Sequence, residues 1–249
     1  MKTIYRFRPT LGIKHYIFHV TISICCAIII LYNRLLMFLK AAPQRLCLLL
    51  HECQFTEDTI LPLHHIADLT AFPHPTCVCL GMFDGVHLGH RELIRATVAQ
   101  AQAQNLVPCA FTFDLPPAAV LHPPRKLRVL TDICRKSEIM HELGLAHVFY
   151  AHFDPQIASL PYDVFFRDIL LDKLCAKHIV VGFHYRFGKD AKGDTDKLKA
   201  LCTEHGVSLT VIPPVTLPDG TLISSTLIRN ALESGDTAAA SQLLGRPNL

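Results

Sequence analysis

The sequence predicts an α/β fold: a Rossmann-like parallel sheet with helices on both faces, in a single domain behind a hydrophobic N-terminal extension. Three observations lead there. Half of the 249 residues are apolar and 18% are charged, enough to bury a sizeable core and too few charges for a disordered chain. From Thr76 onward, short apolar runs alternate with longer amphipathic ones. That alternation repeats about five times, the pattern of strands joined by crossover helices.

The elements follow in order. Thr76–Leu80 reads as a buried strand, and Leu88–Gln104 as an Ala-rich helix with Leu93, Ile94, Val98 and Ala101 at helical spacing. Val107–Phe113 is a second strand. Asp132–Leu143 is a helix with Thr131 or Asp132 as its N-cap. His147–Phe153 is a strand, and Pro161–Leu174 a helix opening on proline. A β-branched strand at His178–Gly182, a helix at Thr195–His205 ending on Gly206, and a strand at Ser208–Ile212 come next. Ser224–Ser234 and Asp236–Leu244 close the chain as helices. In sheets of this kind ligands lie beyond the carboxyl ends of the strands, so functional residues are expected just after each strand.

Composition excludes several function classes. The net charge is only +3 and no block of like charges occurs, so no nucleic acid partner is expected. The ten cysteines contain no C-x-x-C, only Cys25-Cys26 and Cys77-x-Cys79, which argues against a disulfide scaffold or structural zinc. Unpaired thiols in a reducing, cytoplasmic compartment are the expectation.

Residues 1–58 stand apart. Between Lys14 and Arg34 no formal charge occurs, and this stretch (residues 15–33) is long enough to cross a bilayer, which takes ~20 residues. Basic residues on both sides give no orientation. Three readings are open: a membrane anchor facing the cytoplasm, a translation start placed upstream of the true one (Met37 or later), or a buried amphipathic helix. Membrane contact is expected only through residues 15–33. Residues 59–249 form the expected domain.

Two motifs carry chemistry. After the first predicted strand comes Gly81-Met82-Phe83-Asp84-Gly85-Val86-His87-Leu88-Gly89-His90. Glycines allow close backbone approach, free N–H groups at a helix start favour an anion, and His87 and His90, three apart, share one face of the first turn. A phosphate suits this set better than a metal, because no glutamate or third histidine sits at zinc spacing, and no metal ligand is assigned. The plain alternative is a histidine cap beside an exposed histidine. The second motif, Ile223-Ser224-Ser225-Thr226-Leu227-Ile228-Arg229, places hydroxyls at a helix start and a guanidinium one turn on. It reads either as an ordinary N-cap or as a phosphate clamp.

Together, H-x-G-H after the first strand and I-S-S-T-x-I-R near the end resemble the nucleotidylyltransferase superfamily. More narrowly, G-x-F-D-G-V-H-x-G-H is similar to the adenylyltransferase module of the bacterial bifunctional riboflavin kinase/FAD synthetases. Phe111-Thr112-Phe113-Asp114, the Val180–Gly188 segment, Lys192-Gly193-Asp194 and Leu243–Pro247 extend the likeness over about residues 75–247. Two departures fall on the flavin side: Leu115-Pro116-Pro117 replaces the family's Pro-His-Pro, and His184 stands where the family has Asp or Asn. The chain ends at Leu249, where the kinase module would begin, so riboflavin phosphorylation is not expected from it, and a separate riboflavin kinase as the source of FMN is left open.

The resemblance implies adenylyl transfer from ATP to FMN, with Mg²⁺ arriving on ATP. It implies His87, His90 and Arg229 as the catalytic set. Gly81, Phe83, Asp84, Gly89, Ser224, Ser225 and Thr226 join them around ATP, with Asp84 fixing the turn in preference to touching ligand. Phe113, Pro117, Gly182, His184, Tyr185 and Phe187 are implied around FMN, and Lys189 and Lys192 are candidates to approach a phosphate from a loop. Two alternatives stay open: a nucleotidyltransferase with another phosphorylated acceptor, and a non-catalytic, membrane-tethered nucleotide or flavin sensor.

Overall fold

The computed structural model describes residues 62–117 and 128–247. The extension at 1–58, with its candidate membrane stretch, lies outside the described residues. Among the described residues no helix is long and apolar enough to cross a membrane.

Six strands form one parallel sheet: β1 (Leu63–His65), β2 (Thr76–Leu80), β3 (Val107–Phe113), β4 (His147–Ala151), β5 (Ala176–Gly182) and β6 (Ser208–Ile212), in the order β1-β4-β3-β2-β5-β6. The order reverses at β2, whose neighbours are β3 on one side and β5 on the other. The crevice beyond the carboxyl ends of β2 and β5 is therefore the place where a ligand can enter between diverging connections.

Alternating strand residues feed two cores. On one face Cys77, Cys79, Ala110, Val148 and Val180 pack with Leu93, Ile94 and Ala101 of α1 (Leu88–Gln104) and Ile139 and Met140 of α2 (Ile133–Glu142). On the other, Val78, Leu80, Phe111, Phe149, Ile179 and Val181 meet α4 (Tyr162–Lys173) and α5 (Thr195–Glu204). Between β4 and α4 lies a single turn, α3 (Pro155–Ala158). A third cluster joins Leu130, Ile223 and Ile228 to Ala240, Leu243 and Leu244, seating α6 (Ser225–Glu233) on α7 (Thr237–Leu244). Caps set the helix starts: Asp132 accepts from the N–H of Arg135 at 2.8 Å and Asp194 from that of Lys197 at 2.9 Å.

The structure differs from the expected elements in several places; besides the turn at Pro155–Ala158 and a β5 that begins at Ala176 instead of His178, three bear on the fold. β1 is a strand that local pattern did not announce; only pairing with β4 makes three residues extended. β4 stops at Ala151 rather than Phe153, because Asp114 accepts from the backbone of Phe153 and the ring of His152 and turns the chain away. The helix expected over Pro161–Leu174 has Pro161 as its N-cap and is wound wide over Phe165–Lys173, where Leu174 N–H reaches back five residues to Ile169 O.

Candidate active site

The turn between β2 and α1 is held in an unfavourable shape. Phe83, Gly85 and Val86 all have positive φ (49°, 84° and 39°), a region disfavoured for a bulky or β-branched residue. Gly85 is required here: besides its φ, a Cβ would lie 2.9 Å from Leu130 Cδ1. Asp84 pins the turn. Its Oδ1 accepts from the N–H groups of Leu130 (2.8 Å) and Thr131 (3.1 Å), while Oδ2 pairs with Arg229 Nη2 at 2.5 Å. Arg229 Nε also donates to Arg128 O at 2.8 Å, and Ser225 Oγ donates to Asp84 O at 2.8 Å. The starts of α1 and α6 are thereby tied together, bringing two positive dipole ends to one region.

His87 is the N-cap of α1. Its Nδ1 accepts from the N–H of His90 at 3.4 Å, which leaves the proton on Nε2. The two imidazoles stack with centroids 3.6 Å apart, and Phe83 meets His90 edge-on. Gly89 makes the stack possible: a Cβ there would sit 3.1 Å from His87 Cε1 and 3.2 Å from its Nδ1. Burial pushes His87 down to about 4. It also holds His90 well below the ordinary histidine value, helped by the neighbouring His87 and Lys136. Both rings are neutral at pH 7, and His90 Nδ1 is buried without a hydrogen-bond partner. A neutral pair with an unmet polar atom beside a helix start suits an arriving anion.

Two cavities meet at the reversal of strand order. The smaller, about 240 Å³, is lined by Gly81, His87, Gly89, His90, Gly182 and Ile223 among others. The larger, about 450 Å³, is walled by Phe111, Phe113, Pro117, Phe153, Phe165 and Phe187. Gly81, His184 and Tyr185 line both. A volume of this size, apolar with a few polar groups at one end, suits a flat ring system carrying an anionic tail.

Of the residues the sequence singles out, Gly81, His87, Gly89 and His90 stand around the smaller cavity, and Phe113, Pro117, His184, Tyr185 and Phe187 around the larger. Gly182 lines the smaller cavity, away from the aromatic one where its flavin assignment puts it. Phe83 and Asp84 lie behind the site. Phe83 is fully buried and Asp84 is 3% exposed with both oxygens engaged, and neither side chain lines either cavity. The smaller cavity reaches Ile223 but is not lined by Ser224, Ser225, Thr226 or Arg229. Ser224 caps α6, accepting from Leu227 N–H at 3.2 Å, and Ser225 and Arg229 hold the turn. Lys189 and Lys192 line neither cavity, and Lys192 faces Asp190 at 3.5 Å.

Sequence reasoning missed the cavity residues Met82, Phe153, Ile157 and Asp190, and it missed Lys136. Lys136 is 1% exposed. Its signal was its place on the apolar stripe of α2, with Ile139 and Met140 on the same face.

Comparison with known proteins agrees with this geometry. Residues 69–227 match the family model described as FAD synthetase. The chain is 32% identical over 183 residues to the bifunctional riboflavin kinase/FMN adenylyltransferase of Escherichia coli K12, covering 73% of this chain and 58% of that one. It is 35% identical over 170 residues to a protein of Geobacillus thermodenitrificans provisionally given the same name, covering 68% and 89%. The chain thus spans most of the second relative and little more than half of the first. Among solved structures, one of a macrolide-efflux protein from Streptococcus pneumoniae superposes with a TM-score of 0.66 at 30% identity, over 75% of this chain and 60% of that one. A stacked histidine pair at the reversal of a parallel sheet and a match across residues 69–227 converge: the chain belongs to the FAD synthetase family.

Proposed function

We infer that this chain transfers the adenylyl group of ATP to FMN, releasing FAD and pyrophosphate. The observation that carries this reading is the wall shared by the two cavities. A ring system in the aromatic cavity and a triphosphate beside His87 and His90 would have their phosphates meet at Gly81, His184 and Tyr185.

The FMN phosphate oxygen attacks the α-phosphorus, the bond to the bridging β-oxygen breaks in line, and that oxygen departs with pyrophosphate. The nucleophile is already an anion near pH 7, since a phosphate monoester's second pKa is ≈ 6, so no base has to remove a proton. Catalysis then rests on positioning and on charge stabilisation. His87 offers Nε2–H, and His90 stands against it to stabilise the five-coordinate phosphorus. The orphan N–H groups at the start of α1, where Gly89 lines the smaller cavity, complete the anion site. Arg229 acts through Asp84, shaping the turn that presents the histidines. Phe113, Pro117 and Phe187 bound the flavin side.

Among the described residues no group of three or more His, Cys, Asp or Glu is gathered as a cation cage. Mg²⁺ would arrive on the ATP phosphates and supply charge neutralisation there, keeping most of its waters. The free thiols Cys77, Cys79, Cys109 and Cys202 fit a cytoplasmic setting.

The test is direct. The full chain is incubated with MgATP and FMN, FAD is followed by chromatography and pyrophosphate by a coupled assay, with nicotinamide mononucleotide and phosphopantetheine as control acceptors. Stoichiometric FAD and pyrophosphate are expected with FMN alone. Turnover only with another acceptor, or ATP binding with no turnover, would overturn the reading.

A further inference from the structure

Lys136 is a buried cation for which the mechanism so far has no use. Its Nζ donates to Met82 O at 2.8 Å, to Phe113 O at 3.0 Å and to Thr112 Oγ1 at 3.4 Å. Three acceptors match the three protons of an ammonium; a neutral amine would leave one unmet. None of the three is a carboxylate, which is unusual, because a buried lysine is normally paired.

The position explains the choice. Phe113 is the last residue of β3, and Met82 follows β2 by two residues, so Lys136 reaches from α2 to bind together the two strand ends that floor the cavities. Met82 and Phe113 both line the aromatic cavity. The residue after Met82 is Phe83, whose ring edge meets His90. Behind the cavities, then, lie the buried carboxylate of Asp84 with the half-buried guanidinium of Arg229 paired to it, and the buried ammonium of Lys136, whose own partners are two carbonyls and a hydroxyl.

We propose that Lys136 is a positioning residue for adenylyl transfer, setting the spacing of the flavin cavity against the histidine pair and holding beneath the reacting phosphates a positive charge that hydrogen-bonds to no carboxylate. It touches no substrate; it acts through the Met82 and Phe113 carbonyls and through its field. A charge in a water-poor setting is felt over such distances far more than in bulk solvent.

The charge of Lys136 is held by opposing influences. Burial pushes it down to about 8, while Asp84, Asp114 and Asp132 pull the other way; His90 faces it as a neutral ring. Its proton is therefore lost in an accessible range, and kcat/KM for ATP, which reports the free enzyme, should fall above about pH 8.

The proposal rests on the reading of the chain as an FMN adenylyltransferase, and the two fail separately. Wild-type protein that makes no FAD defeats that reading. Active wild-type protein with a Lys136→Met variant of nearly unchanged kcat defeats only this one. In Lys136→Met, which keeps the stem and removes the charge, kcat for FAD formation is expected to fall about 30-fold or more, less than a directly contacting donor would cost. KM for ATP and FMN should shift by no more than about threefold, since ground-state contacts are untouched. A folded Lys136→Met protein with kcat within threefold of wild type overturns the proposal, as does a change confined to KM. Lys136→Arg supplies an independent arm should Met fail to fold. It is expected to keep kcat within about tenfold and to abolish the alkaline limb, because a guanidinium stays charged. A wild-type profile flat to pH 9.5, or a limb unchanged in the Arg variant, overturns it too.

Discussion

Asp84 separates two accounts of the β2–α1 turn, as a nucleotide ligand or as the pin of the turn, and Asp84→Asn tests which holds. The side chain is buried and accepts from two backbone N–H groups and from Arg229, itself only 13% exposed. Asparagine keeps the shape and can still accept from Leu130 and Thr131, but it turns an amide donor toward the guanidinium. What is lost is the ion pair, and what remains is a buried arginine without its counter-charge. Breaking a buried pair from one side costs roughly 3–5 kcal/mol. Urea unfolding of the full chain should show that loss as a lowered midpoint at unchanged slope. Arg229→Met leaves the carboxylate its two N–H partners and should cost less, about 2 kcal/mol, with the double variant well short of the sum because the two residues act as a unit. KM for ATP should rise only modestly in protein that remains folded. The reasoning is refuted if Asp84→Asn loses under 1 kcal/mol while KM for ATP rises tenfold or more, the signature of a ligand.

Other consequences are equally concrete. His90→Ala should lower FAD turnover on the order of 10²-fold or more, with near-ultraviolet dichroism preserved, because a donor to the transition state is removed; unchanged turnover in folded protein would take His90 out of the mechanism. Acid sensitivity follows from His87, whose folded pKa is about 4 against 6.5 for the free group. A histidine kept neutral in the fold binds its proton more readily when unfolded, so its contribution is fully present above pH 6.5 and drains away as the pH falls toward 4. Between pH 7.5 and 5 the drop amounts to ~2 kcal/mol from this residue. His87→Asn, which can still cap α1, should show a correspondingly shallower loss in paired unfolding curves; identical slopes would contradict the assignment.

Much of the fold is readable in the sequence for a physical reason. Strands buried on both faces must be continuously apolar, and the helices covering them must carry a periodic stripe, so β2, β3, β5, α1 and α2 announce themselves locally. The elements that were misread take their shape from contacts distant in sequence. β1 is extended only because β4 lies beside it, and α4 is wound wide over Phe165–Lys173 by a pattern its composition does not encode. Lys173 donates to Ile66 O and Leu69 O, tying that helix end to the segment after β1, a link between residues more than a hundred positions apart.

At the site the same division has a sharper consequence. Motif spacing puts His87, Gly89 and His90 at one place, and they line one cavity, because a helix start dictates their geometry from local sequence alone. It could not distinguish a hydroxyl or guanidinium that meets a phosphate from one that shapes the surface meeting it. Ser225, Arg229 and Asp84 form a closed set, each satisfied by another across more than a hundred residues. Such a set is as costly to disturb as a ligand contact is to lose, so a fixed motif is no evidence by itself for touching substrate. Lys136 marks the converse case, a residue that no motif singles out. Its place on an apolar stripe announces burial but not purpose, because the carbonyls that receive its ammonium belong to β3 and to the turn after β2, not to its own helix. The chemistry of this site therefore resides as much in the groups that hold the β2–α1 turn under strain as in the two imidazoles that the turn presents.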